Sequence, residues 1–517
     1  MTLQDAVDVA IIGGGTAGAL LAGRLAEGTD ATILLVEDGP DIVHPLSRRL
    51  ADQPQILRSD ALRRMPERRP DGGGATLLSG ALIGGGWSVN HGVMMFPTAG
   101  DVAALQQVGG EEWSAERVRM LAGRITTDRD RSAAGDREPG TGPIPLARPL
   151  LDPTAVAPAT AALFAACADL GVPWSDDVNR DGMKVTVSSY PYSSDDGERV
   201  SSATAILGPA RIRPNLQVLA RTFVRRLIVH GSRVVAIEYV PEGSSEPVQV
   251  RVDRVVLSAG VFHTPQILLR SGIGPSDHVR DCGITPVLDL PGVGEGLFDH
   301  AKIEPTLQLR PKSDDRPASG QEAWASDPFG DDNKVHLRLM STFAREEPDL
   351  DLQLRHDVTA ATTTLTVRIL EQRAAGTVRL DPTDVDGPPV IDAGMAQHPD
   401  DVKVLVEGIR RGVELLEHPL LEGRYRRPDT LPWDDEGLAA LVRSAYGSYN
   451  HGVGTCRMGT DLHAVVDTAL RLHGLDNVHI VDASVLPALP HVTTNYPVAI
   501  VAQWAAERFL TGSVDTW

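Results

Sequence analysis

Cysteine is nearly absent. Cys167, Cys282 and Cys456 are the only three in 517 residues and lie far apart. No CxxC pair occurs, so a disulfide framework and a thiolate metal or redox centre are both excluded, and no metal site is expected. Basic charge is also in deficit: 49 Lys and Arg stand against 69 Asp and Glu, a formal net charge of −20. A nucleic-acid or anionic-membrane binder needs the opposite balance, so neither partner is expected. Long hydrophobic runs are missing too. Every apolar stretch is broken by glycine or charge, so no membrane span is expected. The first apolar run begins by Val7 behind an acidic residue, which leaves no room for a signal peptide. Together with the cysteine usage this points to the cytoplasm. No internal repeat is visible.

What the chain does have is glycine, 50 residues of it, within an ordinary 42% hydrophobic and 23% charged composition. Its length exceeds one core, so two domains, possibly interleaved, are expected. Residues 7–12 (VDVAII) read as a strand buried on both faces. Gly13-Gly14-Gly15-Thr16-Ala17-Gly18 follows, then a small-residue helix, then a second buried strand (ATILLV) that ends in Glu37. This is a βαβ unit with the dinucleotide fingerprint. Gly13 makes the turn, Gly15 lets backbone approach a pyrophosphate, Gly18 packs helix on strand, and Glu37 sits where a carboxylate takes ribose hydroxyls.

Residues 40–76 are polar and punctuated by proline, and read as an excursion over the surface. They hold an arginine cluster (Arg48, Arg49, Arg58, Arg63, Arg64, Arg68, Arg69). A solvated face or a lid held by ion pairs is the preferred reading of it, recognition of an anion the lesser one. Gly84-Gly85-Gly86 then suggests backbone pressed against a flat ligand, with Ser88, Asn90 and His91 close behind. Residues 128–160 read as a connector, 155–169 as a helix, 214–257 as sheet strands and 310–335 as a loop. The segments 334–342, 351–356 and 363–370 read as a second sheet, and 400–417 as an amphipathic helix. Near the end, YNHGVGTCRMG (449–459) sets His451 among three glycines, and Val478–Asp482 reads as a buried strand capped by a carboxylate.

The segments IIGGGTAG, LIGGGWSVNHG, GVFHTPQILLRSGIGP, GVGEGLFDH, HGVGTCRMG and VDASVLP with TTNYP occur in one order. In that order they resemble the glucose–methanol–choline (GMC) flavoprotein oxidoreductases, nearest to bacterial hydroxymethylfurfural-oxidase and aryl-alcohol-oxidase-like members. The resemblance runs from Val7 to about Phe509. It implies an α/β (α+β overall) fold, with a Rossmann-like FAD-binding domain interleaved with a substrate domain on an antiparallel sheet. The FAD domain would comprise residues 1–150, 195–300 and 450–517, and the substrate domain 151–194 and 301–449. The cofactor contacts it implies are Gly13, Gly15, Thr16, Ala17, Gly18, Glu37, Gly85, Ser88, Asn90, His91, Val224, Asp482, Ala483 and Asn495. Members that tether FAD through histidine carry that histidine at the position of Val89, so a non-covalent cofactor is expected.

The reaction implied is oxidation of a small alcohol to an aldehyde or ketone. Hydride passes to flavin N5, and oxygen or another acceptor reoxidises the flavin. His451 matches the family base. The second active-site residue, His or Asn in the family, aligns with Thr493, whose hydroxyl hydrogen-bonds but is no base near neutral pH. Three readings stay open: Thr493 itself, His91 from the flavin side, or a two-residue slip that brings in His491 or Asn495. Asn450, Tyr449 and Tyr446 are candidate pocket residues, though either tyrosine could equally be core. A lyase that keeps FAD as scaffold, or a catalytically altered flavoprotein, are the alternatives.

Overall fold

The computed structural model describes residues 6–69, 74–130, 140–148, 158–175, 177–179, 185–188, 190–309, 335–339, 349–357 and 362–512. The chain starts as its apolar runs dictate. β1 (Ala6–Ile12) leads through the glycine turn into α1 (Thr16–Gly28) and then β2 (Ile33–Val36). β1 and β2 pair in parallel. Their core residues are almost fully inaccessible, as strands covered on both faces must be. The fingerprint glycines are needed for packing. Gly13 has φ +99°, and a Cβ on Gly18 would stand 1.9 Å from the Gly13 carbonyl oxygen.

Residues 40–76 are more than a surface excursion, because apolar residues recur within them. Ile56, Leu62 and Met65 are buried, and β3 (Leu62–Pro66) pairs antiparallel with β4 (Thr76–Gly80). Within the arginine cluster, Arg63 pairs with Asp38, Arg68 with Asp381 at 2.8 Å, and Arg69 donates to the Tyr446 hydroxyl. Two of the seven, Arg63 and Arg68, are thus ion-paired, and Arg69 is hydrogen-bonded.

The first sheet is completed by β5 (Leu216–Leu219), β6 (Thr222–His230), β7 (Arg233–Pro241), β8 (Val248–Leu257) and, late in the chain, a strand at Val478–Ile480. Its order is β5-β2-β1-β8-β7-β6, with Val478–Ile480 also paired to β8. A helix, α2 (Gly260–Arg270), leaves the end of β8.

Among the described residues the second sheet has nine strands. At its centre β9 (Ala301–Ile303), β10 (Thr306–Leu309), β11 (Val335–Leu339), β12 (Leu350–Asp357) and β13 (Thr362–Ile369) run antiparallel to their neighbours. Alternation sorts its two faces. Leu350, Leu352, Leu354, Leu365, Val367 and Ile369 are buried in one apolar cluster with α3 (Pro399–Leu416). Gly408 and Gly412 let that helix approach, since added Cβ atoms would stand 2.3 Å from Val367 and 2.5 Å from Leu365. The opposite register holds Asp351, Gln353, Thr366 and Arg368. The final helix, α4 (Asn495–Thr511), packs on α1, and its Trp504 stacks on Trp113 with ring centroids 5.0 Å apart.

Parts of several expected segments lie outside the described residues: 70–73 of the 40–76 region, 131–139 and 149–157 of the connector, 155–157 of the 155–169 helix, 310–334 of the loop, and 334 and 340–342 of the first segment of the second sheet. Among the described residues no helix is long and apolar enough to cross a membrane.

Candidate active site

One cavity of about 620 Å³ is lined from both sheets. At one end stand Gly13, Gly15, Thr16, Ala17, Glu37 and Val224; Gly85, Asn90, His91, Asp482, Ala483 and Asn495 also line it. His451, Thr493, Tyr449 and Asn450 complete the set of expected residues that it gathers.

The turns around the cavity are braced by carboxylates. Glu37 accepts from the Gly14 and Gly39 amides, each at 2.7 Å. Burial pushes its pKa up, and those two amides oppose the rise. Asp482 accepts from Gly260 N–H, the Thr264 hydroxyl and both donors of Ser484. It thereby ties the start of α2 to the end of the Val478–Ile480 strand. The triple glycine meets backbone first. Gly84 N–H donates to the Gly14 carbonyl at 2.7 Å, and a Cβ on Gly85 (φ +51°) would stand 2.8 Å from Gly15 Cα. Gly86 meets nothing within 4 Å and lines the cavity. Asn90 Oδ1 accepts from Gly92 N–H and from the buried Arg199, fixing the turn that carries His91.

Three expected site residues do not line the cavity. Gly18 is consumed in packing on Gly13. The Ser88 hydroxyl turns inward and donates to the Ile83 carbonyl at 2.9 Å. Tyr446 donates to Glu67 at 2.7 Å and accepts from Arg69, which turns it away from the pocket. Of the slipped alternatives, His491 is drawn off by Asp101, 3.0 Å from its Nδ1. Asn495 stays at the wall, accepting from Thr16 at 3.2 Å.

His451 is set by its loop. Asn450 adopts φ +61°, a conformation asparagine tolerates. Its side-chain oxygen accepts from Leu78 N–H at 2.7 Å. Gly454 has φ +93° and presses on Gly296, and Thr455 donates to the Val261 carbonyl at 2.6 Å. Asp299 then accepts from the backbone N–H of both His451 (2.8 Å) and His300 (2.7 Å), while its other oxygen takes the Ser448 hydroxyl. Burial raises the Asp299 pKa to about 6.

The histidine side chains meet as well. His300 Nδ1 lies 2.8 Å from His451 Nδ1, and His300 Nε2 lies 2.9 Å from the Pro490 carbonyl oxygen. Burial pushes both imidazoles well below their ordinary pKa. His451 is lowered further by Arg368, and His300 by His451, Arg368 and His491. Both rings are therefore neutral near pH 7, and the proton positions follow. A carbonyl can only accept, so His300 carries its proton on Nε2 and has a lone pair at Nδ1. His451 must then donate its Nδ1–H to that lone pair, and its Nε2 is the unprotonated nitrogen. A base facing the cavity is fixed by a chain of three acceptors and donors.

The sequence reading missed His300, Asp299 and Ser448. The first two close the GVGEGLFDH segment, so the signal was present. What was lacking was any linear link to a loop 151 residues further on.

A glycine-turn βαβ sheet sharing its cavity with a second, antiparallel sheet is the architecture of a dinucleotide-cofactor oxidoreductase. The GMC oxidoreductase family models match residues 7–302 and 372–502. The chain belongs to the GMC oxidoreductase family, whose members are FAD-dependent alcohol oxidases and dehydrogenases. It is 31% identical to pyridoxine 4-oxidase of Microbacterium luteolum, covering 98% of this chain and 99% of the relative. It is 28% identical to 5-(hydroxymethyl)furfural oxidase of Methylovorus sp., covering 98% of each. The crystal structure of pyridoxine 4-oxidase from Mesorbium loti superposes with a TM-score of 0.86 at 27% identity, covering 97% of this chain and 99% of that one.

The cavity fits a dinucleotide on its own terms. Beside Val224, His263 Nε2 and Arg270 Nη1 are buried without partners among the described residues, and both side chains line the cavity. His263 Nδ1 lies 2.9 Å from Gln266 Oε1, so Nδ1 donates and Nε2 is an acceptor. An acceptor and a donor thus wait at the end where the fingerprint places the adenosine.

Proposed function

We propose that this chain binds FAD non-covalently in the cavity and oxidises the carbinol of a small alcohol to an aldehyde or ketone, with His451 as general base. Oxygen or another acceptor takes up the electrons. The observation that carries the reading is the proton order of the His300–His451 pair, which leaves His451 Nε2 free to accept a proton at neutral pH.

Bound FAD would supply the hydride acceptor. Gly13, Gly15 and the first amides of α1 hold its pyrophosphate, and Glu37 its ribose. His451 Nε2 takes the hydroxyl proton as hydride leaves the carbon. His300 remains a neutral acceptor for Nδ1–H throughout. It orients the ring without the strong basicity that a carboxylate partner would confer. Thr493 or His91, both of which line the cavity, serves as the second hydrogen-bonding group for the substrate oxygen. The domain division expected from sequence accompanies this reading, with FAD held by the first sheet and substrate by the second.

His451→Ala should retain FAD but slow anaerobic flavin reduction by about 10²-fold or more, the scale of losing a general base. Reduction at the wild-type rate would show the base assignment to be wrong. Pyridoxine and 5-(hydroxymethyl)furfural head the alcohols to be screened, because two relatives are named for them. A protein that holds FAD but is bleached by no alcohol would favour a non-redox reaction instead.

A further inference from the structure

The two unpartnered atoms at the Val224 end of the cavity, His263 Nε2 and Arg270 Nη1, belong to one helix face. His263, Ile267 and Arg270 follow one another on α2 at spacings of four and three residues, and all three line the cavity. Arg270 is held from the first sheet. β6 and β7 shift register between Val224 and Arg226, and the Arg225 carbonyl between those two accepts from Arg270 Nε at 2.7 Å. The guanidinium lies 4.9 Å from the Phe223 ring centre, so Nη1 is a donor fixed in place.

The direction of the His263 bond is settled by a carbonyl. Gln266 Nε2 donates to the Gly387 carbonyl at 3.1 Å, so Gln266 turns its oxygen to the imidazole. His263 Nδ1, 2.9 Å from that oxygen, must then carry the proton. Burial, with Arg63 and Arg270 nearby, lowers the His263 pKa to about 4, so the ring is neutral and Nε2 keeps its lone pair. A lone pair shut away from water calls for a donor on whatever fills the space. The ribose hydroxyls of a dinucleotide are donors, but Glu37 is the group placed for them. The donor that remains is the exocyclic amine of adenine, which neighbours ring nitrogens able to accept from a guanidinium.

We propose that His263 is a specificity-determining residue for the cofactor: its Nε2 accepts from the 6-amino group of adenine while Arg270 donates to a ring nitrogen. The site thereby selects an adenine dinucleotide against its hypoxanthine analogue. In that analogue a carbonyl replaces the amine, and two acceptors face each other unsatisfied. This rests on the reading that FAD fills the cavity, but binding alone tests it, without turnover.

Apoprotein is titrated with FAD and with flavin hypoxanthine dinucleotide, its deaminated analogue, and flavin fluorescence reads both affinities. FAD should bind about tenfold or more tightly, the scale of leaving a buried acceptor unpaired. His263→Leu should weaken FAD until the two flavins bind alike. His263→Gln supplies a readout that a merely structural histidine would not move. Its amide presents either oxygen or nitrogen to the base, so it should hold FAD and take up the analogue equally well. Equal affinities in the wild type would overturn the inference and leave FAD binding standing. A preference for FAD that survives both substitutions would do the same. Apoprotein that takes up neither flavin would overturn the FAD reading, and this inference with it.

Discussion

At the scale of single residues, the proton order of two buried histidines is the central feature. A neutral partner differs from a carboxylate in what it does to the base. Burial and Arg368 keep His451 below its ordinary value, and no negative charge at Nδ1 pulls it back. The base form is then fully present above that lowered pKa and is lost only as pH falls through it. The limiting rate of flavin reduction should accordingly hold its plateau down to about 6.5, the unperturbed histidine value, and decline only at more acid pH. His300→Leu should retain FAD yet lower that plateau about tenfold or more, because Nδ1–H loses its acceptor and the tautomer is no longer fixed. His300→Gln, with an acceptor oxygen, should recover part of the loss. Equal rates and identical pH profiles in all three proteins would show that His300 merely fills space. How much of this was legible follows from reach. His451 stood out because its glycine loop matches the family base, where the loop alone would have left it a structural histidine. His300 was in view but unassigned, because the contact that gives it meaning joins distant segments. Tyr446 took the core alternative of its two readings. It is near His451 in sequence, yet Glu67 and Arg69 hold it elsewhere.

At the scale of elements, the strands and helices with clean periodicity were legible, and the glycine segments were legible as turns but not as to what they meet. The 84–86 stretch reads as backbone against a flat ligand. In the folded chain its first two residues also rest on the Gly14–Gly15 turn, while Gly85 and Gly86 both line the cavity. No local pattern can announce that two glycine turns, seventy residues apart, pack on each other. The contact makes Gly85 the seam between the dinucleotide loop and the Asn90–His91 turn. Gly85→Ala combines a left-handed φ with a Cβ only 2.8 Å from Gly15 Cα. Backbone on both sides must move, so the affinity for FAD should fall about tenfold or more, a cost of the size expected from such strain. Fluorescence titration of the apoprotein with FAD measures it. Undiminished affinity would mean that the two turns do not jointly shape the cofactor site. The 40–76 region taught a similar lesson: its arginines and prolines masked a buried hairpin, because composition averages over alternating apolar residues.

At the scale of the whole molecule, two large apolar clusters share one cavity. The first gathers β1, α1, β8 and α4; the second gathers β12, β13 and α3. Length alone foretold two cores. Interleaving was raised by length and given its bounds by the family resemblance, since the 128–160 connector was the one candidate boundary that composition offered. Val261 and Phe262 belong to the second cluster although they start α2 directly after β8 of the first sheet. A ligand touching both walls should therefore couple them. Ligand at one hundred times its dissociation constant stabilises the native state by about 2.7 kcal/mol. For a chain of this length the unfolding entropy is about 1 kcal/mol per degree, so the midpoint should rise by about 2–3 °C. Calorimetry of apoprotein and FAD-loaded protein reads both size and shape. A single transition that moves as a unit is expected, because Gly13 and Val224 on one side and Tyr449 and His451 on the other line the same space. Two resolved transitions, of which FAD shifts only one, would place the cofactor within a single core and remove the second sheet from its binding.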